Sequence, residues 1–262
     1  MTQDQPIRLL VHGASGRMGR AVVRLAAADP RFVVVAAVSR GGESIEGAQG
    51  VAAAAMESAP DFDLAVDFSL PAGFDALLTM CLNRETGVVS GTTGLDEAQR
   101  ARLEAASTRI ETLWSANFSL GVAVLEDLVR RVSAALPDWP LTLVETHHVR
   151  KLDAPSGTAL MLARAAQAIT GRAPAIESLR EGDVVGIHRL QFGGPGETLE
   201  LGHVAGDRDL FARGALQAAA LVAGRGPGAY RLGELLLGWA SGAARANRVS
   251  LLPPGSLNFP LA

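Results

Sequence analysis

VHGASGRMG, from Val11 to Gly19, decides how the rest of the chain reads. It follows an apolar run, Ile7 to His12, and precedes a helical pattern, Arg20 to Ala28. A glycine-rich turn between a buried strand and a helix is where a Rossmann-type sheet receives a dinucleotide pyrophosphate. Gly13 permits the tight turn, Gly16 lets the backbone approach the phosphates, and Gly19 lets helix and strand pack closely. The helix N-terminus adds free N–H groups and a positive partial charge. The spacing is G-x-x-G-x-x-G and lacks the lysine and hydroxyl residue of a triphosphate-binding loop, which argues against a nucleotide triphosphatase.

Outward from the loop, β-rich runs alternate with helical patterns. Strands are expected at Phe32 to Val38, Asp63 to Phe68, Gly87 to Ser90 and Glu111 to Trp114, with helices at Ala72 to Leu82 and Asp96 to Ser107. Ala52 to Ala55 reads as a loop or short helix. Strands continuous in Val, Leu and Ile between helices indicate a parallel sheet covered on both faces. The pattern changes after Asn117. A long helix (Leu120 to Leu136), a strand (Leu141 to Thr146) and a helix (Ser156 to Ile169) lead into two alternating runs, Val184 to Phe192 and Thr198 to Val204. The turn FGGPGE between those runs has hairpin chemistry, so an antiparallel or mixed sheet is expected there. A helix from Asp209 to Ala223, a Gly/Pro linker and a helix from Leu232 to Trp239 follow.

The expected fold class is therefore α/β: an N-terminal Rossmann dinucleotide-binding domain with a second α+β domain built on a mixed sheet. Residues 1–118 form the first, completed by the C-terminal segment 226–262. Residues 119–225 form a substrate-binding and oligomerisation domain.

Composition narrows the function. Apolar residues make up 48% and charged residues 19% of the 262, an ordinary globular balance. The formal charge of −3 gives no general attraction to nucleic acid or anionic membranes. The N-terminus lacks a signal layout, and no apolar run approaches the roughly 18 residues needed to span a bilayer. Cys81 is the single cysteine, which excludes an intrachain disulfide and a cysteine-based metal cage. No H-x₃-H or C-x₂-C spacing is present, so no metal site is expected. The chain reads as cytoplasmic. His12, His188 and His203 read as hydrogen-bonded structural histidines, and Cys81 as a small core residue.

The residue that reads the adenosine ribose is expected about 20 positions past the loop, where Asp or Glu favours NADH. The second strand ends instead in Val38-Ser39-Arg40. A guanidinium pairs well with a phosphate, so Ser39 and Arg40 favour NADPH, with NADH possible; Arg17 is a second candidate for the phosphate. A second chemical signal is ETHHVRKLDAPSGTAL, Glu145 to Leu160. It ends a strand, crosses a polar loop and opens a helix, where N–H groups of Ser156, Gly157 and Thr158 suit a carboxylate. The two histidines and Lys151 can supply a proton beside a cofactor's hydride, and bind a dicarboxylate.

With DFS (Asp67 to Ser69), SGTTG (Ser90 to Gly94) and SANFSLGV (Ser115 to Val122) standing between those two signals, the chain resembles the 4-hydroxy-tetrahydrodipicolinate reductase family over most of its length. The resemblance implies His147 as general acid and Lys151 as a second proton donor or orienting cation. It implies His148, Gly157 and Thr158 on the substrate carboxylates. The cofactor would meet Gly13, Ala14, Ser15, Gly16, Arg17 and Met18 through its pyrophosphate, and Arg40, beside Ser39, through a 2′-phosphate. Gly91, Thr92, Thr93, Ser115, Ala116, Asn117 and Phe118 would lie along the nicotinamide, with Arg208 and Phe211 reaching in from the second domain. A homo-oligomer is implied too, a tetramer built through the mixed sheets, with a dimer as the alternative. The chain departs from the family pattern at Ser39, where many members are acidic, in a shorter connection before Gly182, and in the stretch from Trp239 to Ala262. The competing readings are another Rossmann-type amino-acid or semialdehyde dehydrogenase, and a non-catalytic cofactor-binding homologue.

Overall fold

Seven parallel strands form the larger of two sheets in the computed structural model, which describes residues 5–238. They are β1 (Ile7–His12), β2 (Phe32–Ser39), β3 (Gly50–Ala52), β4 (Leu64–Asp67), β5 (Gly87–Ser90), β6 (Glu111–Trp114) and, from far down the chain, β11 (Gly228–Tyr230). Their order is β11-β6-β5-β4-β1-β2-β3. The chain order reverses beside β1, and α/β sheets bind ligands at such a switch point, outside the carboxyl ends of the strands. Alternation along β1 feeds two cores. Leu9 and Val11 pack with α1 (Arg17–Ala27) and α6 (Asp209–Val222), while Leu10 packs with α2 (Pro71–Arg84) and α3 (Glu97–Ala106). Both faces are covered, which is why the strands read as unbroken apolar runs.

The smaller sheet has the order β10-β9-β7-β8, from β7 (Leu141–His147), β8 (Ala175–Arg180), β9 (Gly186–Gly194) and β10 (Glu197–Ala205). β7 and β8 are parallel and joined through α5 (Gly157–Thr170); the other pairs are antiparallel. This is the mixed sheet expected, and FGGPGE makes its β9–β10 hairpin. Helices α4 (Leu120–Ala135) and α5 cover one face, packing on Leu143, Leu190 and Phe192. The other face is open and carries Arg189, Gln191, Glu200 and the exposed Val204.

Several expectations change. Helix α1 begins at Arg17, inside the glycine run, so Gly19 belongs to its first turn. Strand β8 lies in the connection that looked merely short. β11 lies in the presumed linker and extends the large sheet beside β6. Helix α6 falls within residues 119–225 but packs into the first domain: Ala212, Ala215, Ala218 and Ala219 are buried against α1 and the large sheet. The last helix, α7, is described over Leu232–Leu237; Trp239 and the stretch to Ala262 lie outside the described residues.

Small residues set how closely α6 approaches. At Gly214 an added Cβ would run into the carbonyl oxygen of Phe118, which is backbone and cannot swing aside. Gly214→Ala is expected to destabilise by about 1–3 kcal/mol, the usual cost of overpacking, and to lower Tm by several degrees in a thermal melt. An unchanged Tm would mean that α6 is free to slide.

Candidate active site

The glycine loop is built around close approaches. Gly13 has φ +75°, and a Cβ on it would lie 2.5 Å from the Phe68 carbonyl oxygen. At Gly19 a Cβ would strike the Gly13 carbonyl, so only glycine lets α1 start this near β1. Gly16 differs: a Cβ there would meet only the Gly13 oxygen, at 3.2 Å, and its outer side is open. No side chain caps α1, so its first-turn N–H groups are left for an anion. The loop therefore fits a dinucleotide pyrophosphate. Ser15, Gly16 and Arg17 are exposed on it, whereas Ala14 is buried in the core and Met18 packs against it.

Behind the loop stands a carboxylate that the sequence reading left without a role. Asp67, at the end of β4, is fully buried. Its Oδ1 lies 3.0 Å from His12 Nδ1 and accepts the Ser69 N–H at 3.1 Å; its Oδ2 accepts from Ser90 Oγ and Thr92 Oγ1, both at 2.7 Å. Burial pushes the carboxyl up, but the His12 bond and charge and the Ser69 and Ser90 bonds outweigh it, and the pKa is lowered. The network ties together the ends of β1, β4 and β5. Gly91 packs on Phe68, since a Cβ would collide with that ring, and Thr93 is exposed beyond it.

At the end of β2, Ser39 is buried and Arg40 exposed. Ser39 Oγ donates to Glu43 Oε2 at 2.8 Å, so a carboxylate does stand near this strand end, delivered by the following turn.

The segment after β6 runs toward the second domain. Ser115 Oγ bonds the Asn117 carbonyl, and the Asn117 side chain accepts the Ser119 N–H at 2.8 Å. Asn117 Nδ2 donates to Thr158 Oγ1 at 2.8 Å. One bond thus joins the expected nicotinamide side to the expected carboxylate site. Ala116 is exposed. Phe118 departs from expectation: its ring is buried in the core, edge-on to Phe68 at 5.6 Å between centroids, so only its backbone faces a ligand. Phe211 likewise packs against that core.

At the end of β7, Glu145 and His147 sit two residues apart and point to one face. Glu145 is fully buried and bonds His147 Nδ1. Its other oxygen accepts from Arg180 at 3.1 Å and from the Ser156 N–H at 3.3 Å. Burial raises the carboxyl, but bonds from Ser178, His147 and Arg180 prevail and hold it below its ordinary range. As an anion it can only accept, so Nδ1 carries a proton and Nε2 is the nitrogen free to exchange one. Arg180 also grips the Lys151 and Asp153 carbonyls, fixing the loop ahead of α5. Lys151 Nζ lies 2.8 Å from both Asp153 carboxylate oxygens. Gly157 and Thr158 open α5, whose cap is Ser156.

His188 stands opposite Glu145 on β9, and His203 opposite His188 on β10. Burial, then the charges of His147 and His203, push His188 down to about 4. It is a neutral ring, 5.3 Å from His147 between centroids and edge-on to it. Cys81 is buried in α2, where burial pushes its thiol up to about 12, so it is no nucleophile. No cluster of ligands suited to a metal ion occurs among the described residues.

Arg17, His148, Arg150, Asp183, Val185 and Arg208 line a cleft of about 580 Å³. Arg208 Nη2 lies 3.1 Å from His148 Nε2. Since arginine only donates, that nitrogen accepts. Burial, then the charges of Arg208 and Arg150, lower the His148 pKa. The glycine loop, the β7 loop and the start of α6 therefore meet in one basic hollow. Glu145, Arg180 and Glu43 escaped the sequence reading. The first was detectable as the same-face neighbour of His147; the others need the fold.

The family model of the dihydrodipicolinate reductase N-terminus matches residues 7–118, and that of the C-terminus residues 121–236. A 4-hydroxy-tetrahydrodipicolinate reductase of Stenotrophomonas maltophilia is 53% identical over 235 residues, covering 88% of this chain and 98% of that protein. One from Xanthomonas campestris is 52% identical with the same coverage. The solved structure of a dipicolinate-bound dihydrodipicolinate reductase from Paenisporosarcina superposes with a TM-score of 0.71 at 20% identity, over 86% of this chain and 97% of that one, a likeness of fold. The two family models take in the glycine loop and the Glu145–Thr158 segment alike, and the chain belongs to the dihydrodipicolinate reductase family.

Proposed function

We propose that this chain reduces 4-hydroxy-tetrahydrodipicolinate to tetrahydrodipicolinate with NADPH or NADH, a step of diaminopimelate and lysine biosynthesis in the cytoplasm. The observation that carries the reading is the Asn117–Thr158 bond, which sets the expected nicotinamide segment against the N-terminus of α5. When bound, the nicotinamide supplies a hydride to the substrate ring. The chain's own part is to hold a dicarboxylate and deliver a proton. The first-turn N–H groups of Gly157 and Thr158, with His148, receive carboxylates. His147, once its ring has taken up a second proton from solvent, gives that proton up from Nε2, its other nitrogen being fixed on Glu145. Lys151, held by Asp153 here, turns to the substrate as a second donor or an orienting cation. Gly13 to Met18 take the pyrophosphate, while Gly91 to Thr93, Ser115 to Phe118, Arg208 and Phe211 border the rest of the cofactor, Phe118 through its backbone. Domain closure over the site excludes water and aligns the reacting groups. The open face of the mixed sheet, with Leu179 and Val204 exposed on it, is the surface for assembly into a tetramer or dimer.

The test supplies substrate from pyruvate and aspartate semialdehyde through a coupled synthase and follows loss of nicotinamide absorbance with each nucleotide. Oxidation that depends on the synthase is expected. Folded protein that binds nucleotide and oxidises neither would overturn the reading.

A further inference from the structure

The turn after β2 brings Glu43 back over the strand's end. Ser39 Oγ donates to Glu43 Oε2 at 2.8 Å and accepts the Gly42 N–H at 3.0 Å. Gly42, at φ +72°, makes the reversal, and the carboxylate lies across Gly41, where a Cβ would come within 2.7 Å of Oε2. The place adjoins the glycine loop, for the Ala14 N–H donates to the Val38 carbonyl at 2.9 Å. The carboxyl is held below its ordinary range by its own backbone N–H, then by the Ser39 hydroxyl, and by the charge of Arg20 in the first turn of α1, against a smaller opposing effect of burial. It is therefore an anion at neutral pH, on the side of the loop where a Rossmann site meets the adenosine ribose.

We propose that Glu43, positioned by Ser39, accepts the 2′-hydroxyl of the adenosine ribose and makes NADH the better-bound nucleotide. A 2′-phosphate would bring its negative charge onto this carboxylate, offset only in part by exposed Arg40 in the same turn and by Arg20 of α1, whose charge already reaches Glu43. The inference reverses what Ser39 and Arg40 imply by themselves. It rests on the dinucleotide reading of the glycine loop. A hydroxyl–carboxylate bond is charge-assisted, and its loss is expected to weaken NADH binding by about tenfold or more.

The experiment titrates NADH and NADPH separately into the full-length protein by calorimetry, for wild type, Glu43→Gln and Ser39→Ala. Glu43 is exposed, so the glutamine variant keeps its fold. Expected are tighter NADH than NADPH binding in wild type, and a shift of the affinity ratio toward NADPH by about tenfold or more in Glu43→Gln. A shift in the same direction is expected in Ser39→Ala. General damage to the site would weaken both nucleotides and leave the ratio alone. Wild type favouring NADPH, or a Glu43→Gln ratio moved by less than about fivefold, overturns the proposal. If neither nucleotide binds the wild type, the dinucleotide reading falls with it. If the ratio shifts as expected but the coupled assay shows no turnover, Glu43 stands and the substrate reading falls.

Discussion

Replacing His147 with alanine is expected to lower kcat by about 10²–10⁴-fold, the usual contribution of a positioned general acid. The KM for the nicotinamide nucleotide is expected to change little. His147 sits at the end of β7 in the small sheet, whereas the nucleotide's pyrophosphate is assigned to the glycine loop. In the proposed role it donates as the imidazolium, with the Glu145 carboxylate orienting the ring and offsetting its charge. Glu145 stays ionised beside it, with three other partners on its two oxygens, and keeps Nδ1 protonated, so proton traffic goes through Nε2. The neighbouring histidine cannot substitute: His188 is neutral, and neither of its ring nitrogens has a hydrogen-bond partner. Steady-state kinetics in the coupled assay check this. A kcat within tenfold of wild type would move the proton to Lys151 or to water. Wild-type turnover in the double variant His147→Ala, Lys151→Ala would remove both assigned donors.

The residues of this site differ in how legible they are in the sequence, for physical reasons. The glycine loop and β1 announce themselves because both their signals are local: an unbroken apolar run, then three glycines at fixed spacing. His147 and Thr158 were legible for the same reason, lying on one short segment at a strand end and a helix start. Glu43 was not. The ribose rule inspects the strand's last residue, and here that residue is a serine whose hydroxyl holds a carboxylate returned by a turn. Arg180 was hidden because its strand went unseen. Residues 175–180 form an edge strand with charges among them, half exposed, and only pairing with β7 makes them β. β11 is three residues long and exists by pairing with β6.

The allegiance of α6 was likewise beyond periodicity. An alanine-rich amphipathic helix fits either sheet, and the contact with Phe118 that selects one is a matter of backbone distance. Phe118 shows the same limit from the other side. A motif places it near the nicotinamide, and its ring nonetheless faces inward, because the residue after β4, Phe68, is there for it to pack on.

Replacing Asp67 with alanine is expected to cost about 3–5 kcal/mol, since several buried donors lose their acceptor at about 1–3 kcal/mol each. At about 2–4 °C per kcal/mol for a chain near this size, Tm falls by roughly 10 °C. The cost is high because one carboxylate serves four donors. Without it His12, Ser90 and Thr92 lose partners in a place that water does not reach, and the Ser69 N–H is left unpaired at the start of the turn into α2. The pH dependence follows from the lowered carboxyl. A group whose folded pKa lies below its unfolded value, about 3.9 for aspartate, adds stability that is fully present above the unfolded value. That stability is lost as pH falls through the folded one. The Tm gap between wild type and variant is therefore expected to be constant from neutral pH down to about 5 and to close below about 4. Thermal melts of both proteins across that range decide it. A gap that persists unchanged at the acid end would mean that the loss is one of packing, and that the carboxylate's charge contributes nothing to holding the ends of β1, β4 and β5 together.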